Sequence, residues 1–265
     1  MSGSIKSQKR MNHVSIIMGA YNEAANINIS IESIRKQSYP NWELIVVNDA
    51  STDETGELLK SIAMNDERIK IITNNINRGL AKSLNIALNI AVGVYIARMD
   101  ADDIALPERL EKQVNFLDQH TDITVLGAGS IDLDDKGNKG KCRLGRKTHE
   151  DMVKHIFTEN PFSHPTVMAR NFFFKALNGY DEQLRRAQDY DLWLRGYRHF
   201  LYHNLQEPLI CYMRDKRPNF RNAVYSSFVI LKAIARDKKP PLYVWYAIRP
   251  LLATFLGKKG SQIIK

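Results

Sequence analysis

The sequence has 265 residues, 44% hydrophobic and 25% charged, which fits one large globular domain or one domain plus an appendage and excludes disorder, collagen and coiled coil. Two cysteines, Cys142 and Cys211, are too few for a disulfide framework and lack metal-ligand spacing, so they read as free thiols in a reducing compartment. The net charge of +9 is uneven: residues 211–265 hold twelve basic and two acidic residues, a net of +10, while the preceding part holds 26 and 27 and is nearly neutral.

Residues 1–10 are polar and basic and read as a flexible extension or a cloning remnant, with Met11 an alternative start and no signal-peptide pattern. Residues 14–18 form a short apolar run that predicts a buried strand, followed by Ile27, Ile31 and Ile34 at helical spacing. Residues 44–47 predict the second strand. Ser51-Thr52-Asp53-Glu54 has the form of a capping box, opening a helix with Leu58, Leu59 and Ile62 inward. Residues 69–73 predict a third strand, and Leu80, Leu84, Ala87, Leu88 and Ala91 mark one face of the next helix. Residues 94–99 predict a fourth strand. This alternation predicts an α/β fold with a mostly parallel sheet covered on both faces, in which ligands bind beyond the carboxyl ends of the strands. Those ends carry Asn22, Asn48, Asp49 and the run Asp100-Ala101-Asp102-Asp103.

Pro107 suits the start of a helix reaching about Gln119. Residues 123–127 predict a further strand, and residues 132–147 a loop or hairpin. From Asp151 onward helices are expected to dominate. The longest apolar stretch, 244–256, is broken by Arg249 and Pro250 and is too short to span a membrane. Residues 223–235 and 242–256 are apolar and aromatic with bases at their edges, which suits helices lying in an anionic membrane interface. The alternative is packing on the body with a solvated basic face. No nucleic-acid-binding module is visible, and no nucleic-acid partner is expected.

Three carboxylates, Asp100, Asp102 and Asp103, lie within four residues directly after a predicted strand. Their repulsion calls for a cation, and Mg²⁺ or Mn²⁺ favours oxygen ligands and bridges to diphosphates; the alternative is a solvated acidic turn. No glycine-rich phosphate cradle is present, which argues against dinucleotide and P-loop classes. In Gln188-Asp189-Tyr190-Asp191-Leu192-Trp193, one aspartate can serve as a general base, and only one of the two faces a given site because alternate helix positions point apart. Helix capping is the alternative, with Trp193 in the core. His164, between Pro161 and Pro165, reads as a positioned loop residue, either hydrogen-bonded structurally or touching diphosphate or acceptor.

Five segments together resemble the inverting glycosyltransferase family 2, which has the GT-A fold. They are VSIIMGAYNEAANINISIESIRKQSYPNWELIVVNDASTDET (14–55), NRGLAKSLNIAL (77–88), YIARMDADDIALPERLEKQVNFL (95–117), NPFSHPTVMAR (160–170) and GYDEQLRRAQDYDLWLR (179–195), in the family's order. The resemblance is to bacterial enzymes that extend lipid-linked oligosaccharides for O-antigen or capsule. It implies a catalytic domain over 11–210 and a basic amphipathic helical tail over 211–265. It also implies a UDP-sugar donor and a polyprenyl-diphosphate-linked or oligosaccharide acceptor. Residues Ala20, Tyr21, Glu23, Asp49, Arg78, Gly79, Asp100 and Ala101 would line the nucleotide sugar, with Asp49 on the uracil ring. Asp102 and Asp100 would hold the metal. Asp189 would be the base, with Asp191 as runner-up, and Asp103, His164 and Trp193 are candidates for acceptor or diphosphate contact. Asn48 and Gln188 depart from the family's usual acids. The implied location is the inner face of the cytoplasmic membrane. A metal-dependent sugar-phosphate nucleotidylyltransferase and a non-catalytic nucleotide-sugar-binding subunit are the rival readings.

Overall fold

The computed structural model describes residues 12–134, 137–213 and 220–263, without the side chains of 253 and 255–263. The extension 1–10, the tail bases Arg214, Lys216, Arg217 and Lys265, and the side chains of Lys258 and Lys259 therefore lie outside the described residues.

The first half is a run of strand–helix units: β1 (Val14–Ala20), α1 (Ile27–Arg35), β2 (Trp42–Asn48), α2 (Thr55–Met64), β3 (Ile69–Thr73), α3 (Leu80–Ile90) and β4 (Tyr95–Arg98). The four strands are parallel in the order β3-β2-β1-β4. Alternate residues face opposite ways along a strand. Ile16, Met18, Leu44 and Val46 enter the core under α1 and α2, while Ile17, Ile45 and Val47 enter the core under α3. Burial on both faces explains why these strands read as unbroken apolar runs.

The second half comprises β5 (Ile104–Ala105), α4 (Arg109–Gln119), β6 (Ile123–Leu133), β7 (Lys139–Arg143), α5 (His149–His155), β8 (Met168–Arg170), α6 (Asn171–Ala176), α7 (Gln188–Gly196) and β9 (Leu201–Met213). β8 joins β4 antiparallel and β6 joins β8 antiparallel, which extends the parallel half into one sheet of order β3-β2-β1-β4-β8-β6-β9-β5, with β7 against β6. The chain ends in α8 (Phe220–Arg236) and α9 (Val244–Ile263).

Three sequence expectations are corrected. Helices do not dominate after Asp151, because β9 is a thirteen-residue strand. Its His, Asn, Gln, Glu and Pro residues hide it from pattern reading, and it is held by parallel pairing to the distant β6. The strand expected over 123–127 continues to Leu133, from which β7 returns antiparallel as the hairpin expected over 132–147. The capping box does not form. α2 begins at Thr55, whose N–H donates to Asp53 (3.0 Å), while Ser51 Oγ accepts from the Asn22 N–H (3.1 Å). Ser51 thus ties the loops after β1 and β2 together instead of starting a helix.

α8 packs on the body through Val229, Ile230, Ala233 and Ile234, and Lys232 pairs with Asp181 at 2.6 Å. Its Val224, Phe228 and Leu231 remain exposed, as do Leu242, Trp245 and Ile248 further on. Among the described residues no helix is long and apolar enough to cross a membrane.

Candidate active site

The adjacent parallel strands β2, β1 and β4 end at one edge of the sheet, and their following loops form a row. At the end of β1, the Ala20 carbonyl accepts the Asp49 N–H (2.8 Å), locking the first two loops together. Asn22 and Ala50 both adopt left-handed backbone, with φ of 57° and 58°. This conformation is uncommon for residues with a Cβ and marks sharply turned loops. Tyr21 is 47% exposed and faces outward beside Glu23, which caps its own loop by accepting from Asn26 (3.0 Å).

Asp49 is buried and acts first as an anchor. Its Oδ1 accepts from the Asn74 side chain (2.7 Å) and the Arg78 N–H (2.9 Å), and its Oδ2 accepts from the Gly79 N–H (2.7 Å). A carboxylate offers about four acceptor positions, so one direction on Oδ2 remains for a ligand. Gly79 has φ +90°, and a Cβ there would lie 3.1 Å from the Arg185 guanidinium. A glycine is needed both for the turn and for the close approach. Asp49, Arg78 and Gly79, all expected to line the nucleotide sugar, are thus brought together in one hydrogen-bonded unit.

The run after β4 packs three carboxylates so that one oxygen of each lies within 4.8 Å of the others. Asp100 pairs with the buried Arg98, and its carbonyl accepts from Ser30 (3.1 Å). Asp102 is pushed up to about 6, first by burial and then by Asp100 and Glu23. Asp103 is also held well above the usual carboxylate range, by burial and its two neighbours. Its Oδ1 accepts from the Met213 N–H (2.9 Å), while its buried Oδ2 has no partner. Crowded carboxylates with raised proton affinity and an orphaned oxygen fit a divalent cation with oxygen preference. Asp103 has no exposed surface, so the expected contact with an acceptor is corrected: it faces the cluster and the end of β9. Ala101 is buried between the acids.

Asp189 sits in the first turn of α7, after the left-handed Ala187 (φ 57°). Its Oδ2 accepts from Asn160 (2.7 Å), and burial raises its proton affinity. It lines a cavity of about 980 Å³ between α7 and α8. Asp191 is buried and engaged: its Oδ2 pairs with Arg195 Nε at 2.7 Å, and the same guanidinium donates to the Leu177 and Gly179 carbonyls. His164 Nε2 bonds to the Tyr180 hydroxyl at 2.9 Å, and burial, with Arg98 nearby, holds its ring neutral. It borders a second cavity of about 330 Å³ shared with Asn160 and Asp189. Trp193 is fully buried against Phe162, Phe173 and Tyr202, so the expected acceptor contact is corrected to a core role.

Arg98, Asn160 and Arg195 were not singled out from sequence. Arg98 had a signal, a charge inside an apolar strand run. Its Nε and Nη1 are buried without partners, and its charge acts on Asp102, Asp103, His164 and Asp189 alike. The two acidic patches therefore share one buried cation.

Comparison with known proteins bears on the family and the fold. The family model described as glycosyl transferase family 2 matches residues 15–177. The putative glycosyltransferase EpsE of Bacillus subtilis is 41% identical over 92% of this chain and 89% of its own length. The Escherichia coli O-antigen biosynthesis glycosyltransferase WbnJ is 35% identical over 71% of this chain and 73% of its own. Another E. coli relative, the UDP-Glc:alpha-D-GlcNAc-diphosphoundecaprenol beta-1,3-glucosyltransferase WfgD, is 34% identical over 60% of this chain and 67% of its own. Among solved structures, S. aureus TarS 1–349 in complex with UDP superposes with a TM-score of 0.68 at 22% identity, over 93% of this chain and 73% of that one. The mannosyltransferase PcManGT from Pyrobaculum calidifontis, in complex with GDP-Man and Mn²⁺, gives 0.65 at 17% identity over 97% and 79%. The chain has the GT-A architecture expected from sequence.

Proposed function

The chain belongs to glycosyltransferase family 2, and we propose that it moves a hexose or N-acetylhexosamine from a UDP-sugar to a hydroxyl of a lipid-linked or oligosaccharide acceptor in surface-polysaccharide synthesis. The observation that carries this reading is the pairing of a three-carboxylate cluster with a separate aspartate on a cavity wall, both acted on by one buried arginine. The name of WbnJ supports the biosynthetic setting, that of WfgD a lipid-diphosphate acceptor, and the UDP complex of TarS the donor.

In this reading the open direction on Asp49 Oδ2 receives the uracil N–H, and the loops carrying Ala20, Tyr21, Glu23, Arg78 and Gly79 enclose the nucleotide. Asp102 and Asp100 would hold Mn²⁺ or Mg²⁺, which would supply charge neutralisation for the departing diphosphate. Asp189 takes the acceptor hydroxyl proton, because Asp191 is already committed to Arg195. The acceptor oxygen forms its bond to the anomeric carbon on the face opposite the diphosphate. The carbon–oxygen bond to UDP breaks, and UDP leaves with the electron pair. An α-linked donor gives a β-linked product. Asn160 orients the Asp189 carboxylate. Arg98 offsets the negative charge that would otherwise separate the two patches.

The exposed apolar residues of α8 and α9, Phe228 at 53% and Trp245 at 49% among them, and the basic residues Arg221, Lys232, Arg236 and Arg249 support a peripheral seat on an anionic membrane face. Phe228→Glu with Trp245→Glu is expected to abolish sedimentation with anionic vesicles; retention of wild-type binding would refute that seat.

The test of the main reading is a donor screen by UDP release, with Mn²⁺ or Mg²⁺ and with chelator, against sugar acceptors on a prenyl diphosphate. Metal-dependent release from a UDP-sugar that needs the acceptor supports it. Release of inorganic pyrophosphate from a sugar phosphate and UTP would instead identify a nucleotidylyltransferase.

A further inference from the structure

The cavity that Asp189 lines also carries three arginines from two elements: Arg185 and Arg186 just before α7, and Arg221 on α8. The acids on its wall are Asp189 and Glu159, and Glu159 is engaged with Arg146. Arg186 Nη1 donates to Asn222 at 2.6 Å, which fixes the segment before α7 against α8. Among the described residues no carboxylate pairs with Arg185 or Arg186. A cluster of guanidinium groups around one cavity matches a phosphate or diphosphate, which accepts several N–H donors at once.

The placement on α8 adds direction. Arg221, Asn222, Tyr225 and Ser226 face the cavity, whereas Val224, Phe228 and Leu231 on the same helix are exposed and apolar. One helix thus borders an anion seat with one side and offers an apolar stripe with another. A molecule whose diphosphate joins a sugar to a lipid chain suits both at once.

We propose that Arg185, Arg186 and Arg221 seat the diphosphate of a prenyl-diphosphate-linked acceptor, with its sugar toward Asp189 and its chain leaving along the exposed face of α8. This rests on the transferase reading above and sharpens it. An acceptor whose diphosphate shares a cavity with the base must carry few sugars, so the enzyme acts early on a growing chain. The rival source of the same chemistry is the donor's own diphosphate, since Arg185 also abuts Gly79.

The experiment titrates UDP-saturated protein in Mn²⁺ with geranyl diphosphate, geraniol and inorganic pyrophosphate. Geranyl diphosphate is expected to bind without displacing UDP, geraniol not to bind, and pyrophosphate to bind at least tenfold more weakly than geranyl diphosphate. Arg186→Gln with Arg221→Gln is expected to weaken geranyl diphosphate at least tenfold while UDP affinity stays within twofold, which also reports an intact fold. Competition between geranyl diphosphate and UDP, unchanged affinity in the double variant, or equal binding of pyrophosphate each overturns the proposal. These are binding measurements, so they stand even if no donor and acceptor pair gives transfer; that result would count against the transferase reading alone.

Discussion

The row of loops proposed to hold the donor and the cavity proposed to hold the acceptor are built differently. On the proposed donor edge, backbone holds two of the acids, Asp49 by the Arg78 and Gly79 N–H groups and Asp103 by the Met213 N–H, while the Asp100 carboxylate is held by the Arg98 side chain. In the proposed acceptor cavity, Asp189 is oriented by the Asn160 side chain together with the Tyr190 N–H of its own helix turn. Asp49 is part of the frame, so altering it disturbs fold and binding together. The acceptor residues are mounted on the frame, so altering them changes chemistry with little structural cost.

The largest expected effect is on the acceptor side. Asp189→Asn should lower turnover by roughly 10²–10⁴-fold, the usual contribution of a general base, with UDP affinity and melting temperature near wild type. A near wild-type rate would remove Asp189 from its role. Asp191→Asn provides the contrast: breaking a buried pair costs about 3 kcal/mol, seen as a lower denaturation midpoint, while folded enzyme keeps most of its turnover per active site.

On the donor side, Asp102→Asn should lower metal-dependent UDP binding by about tenfold, roughly 1.4 kcal/mol. The metal-free protein should melt no lower than wild type, because one of three repelling carboxylates is neutralised. A fall in metal-free stability would contradict the repulsion argument. Asp49→Asn should cost about 1–3 kcal/mol in stability by orphaning a backbone N–H, along with weaker UDP binding; loss of binding at unchanged stability would show that Asp49 is mounted on the frame like Asp189.

The smallest effect lies away from both. Asp66, hydrogen-bonded and paired with Arg68 and also facing Arg35, has its carboxyl lowered to about 2. A lowered folded value contributes stability above the unfolded value near 3.8, and that contribution is lost as pH falls toward 2. Asp66→Asn should therefore lower the melting temperature slightly at neutral pH and not at pH 2; an equal loss at both would point to packing instead.

How much of this was legible in sequence follows the same divide. The units from β1 to β4 declare themselves because each strand is buried on both faces and its helix is next in the chain. The acids at their ends could be placed by counting. β9 could not be read, because its polar residues make sense only beside β6. Nor could the separate fates of Asp189 and Asp191, which depend on Arg195 and Asn160, or the burial of Trp193, which depends on Phe162 and Tyr202 from other elements. Arg98 was visible as a charge in an apolar run, but its two acidic neighbourhoods meet only in three dimensions.

The grip of Asp49 on the loop before α3 has one more consequence. It holds Arg78 and Gly79 through main-chain N–H groups, which any residue at 78 other than proline would supply. The loop's course is therefore insulated from the identity of the side chain at 78. On the proposed placement of the nucleotide against this loop, that side chain could be exchanged to suit a different base or sugar without rebuilding the rim around it, so that donor preference could diverge on an unaltered frame.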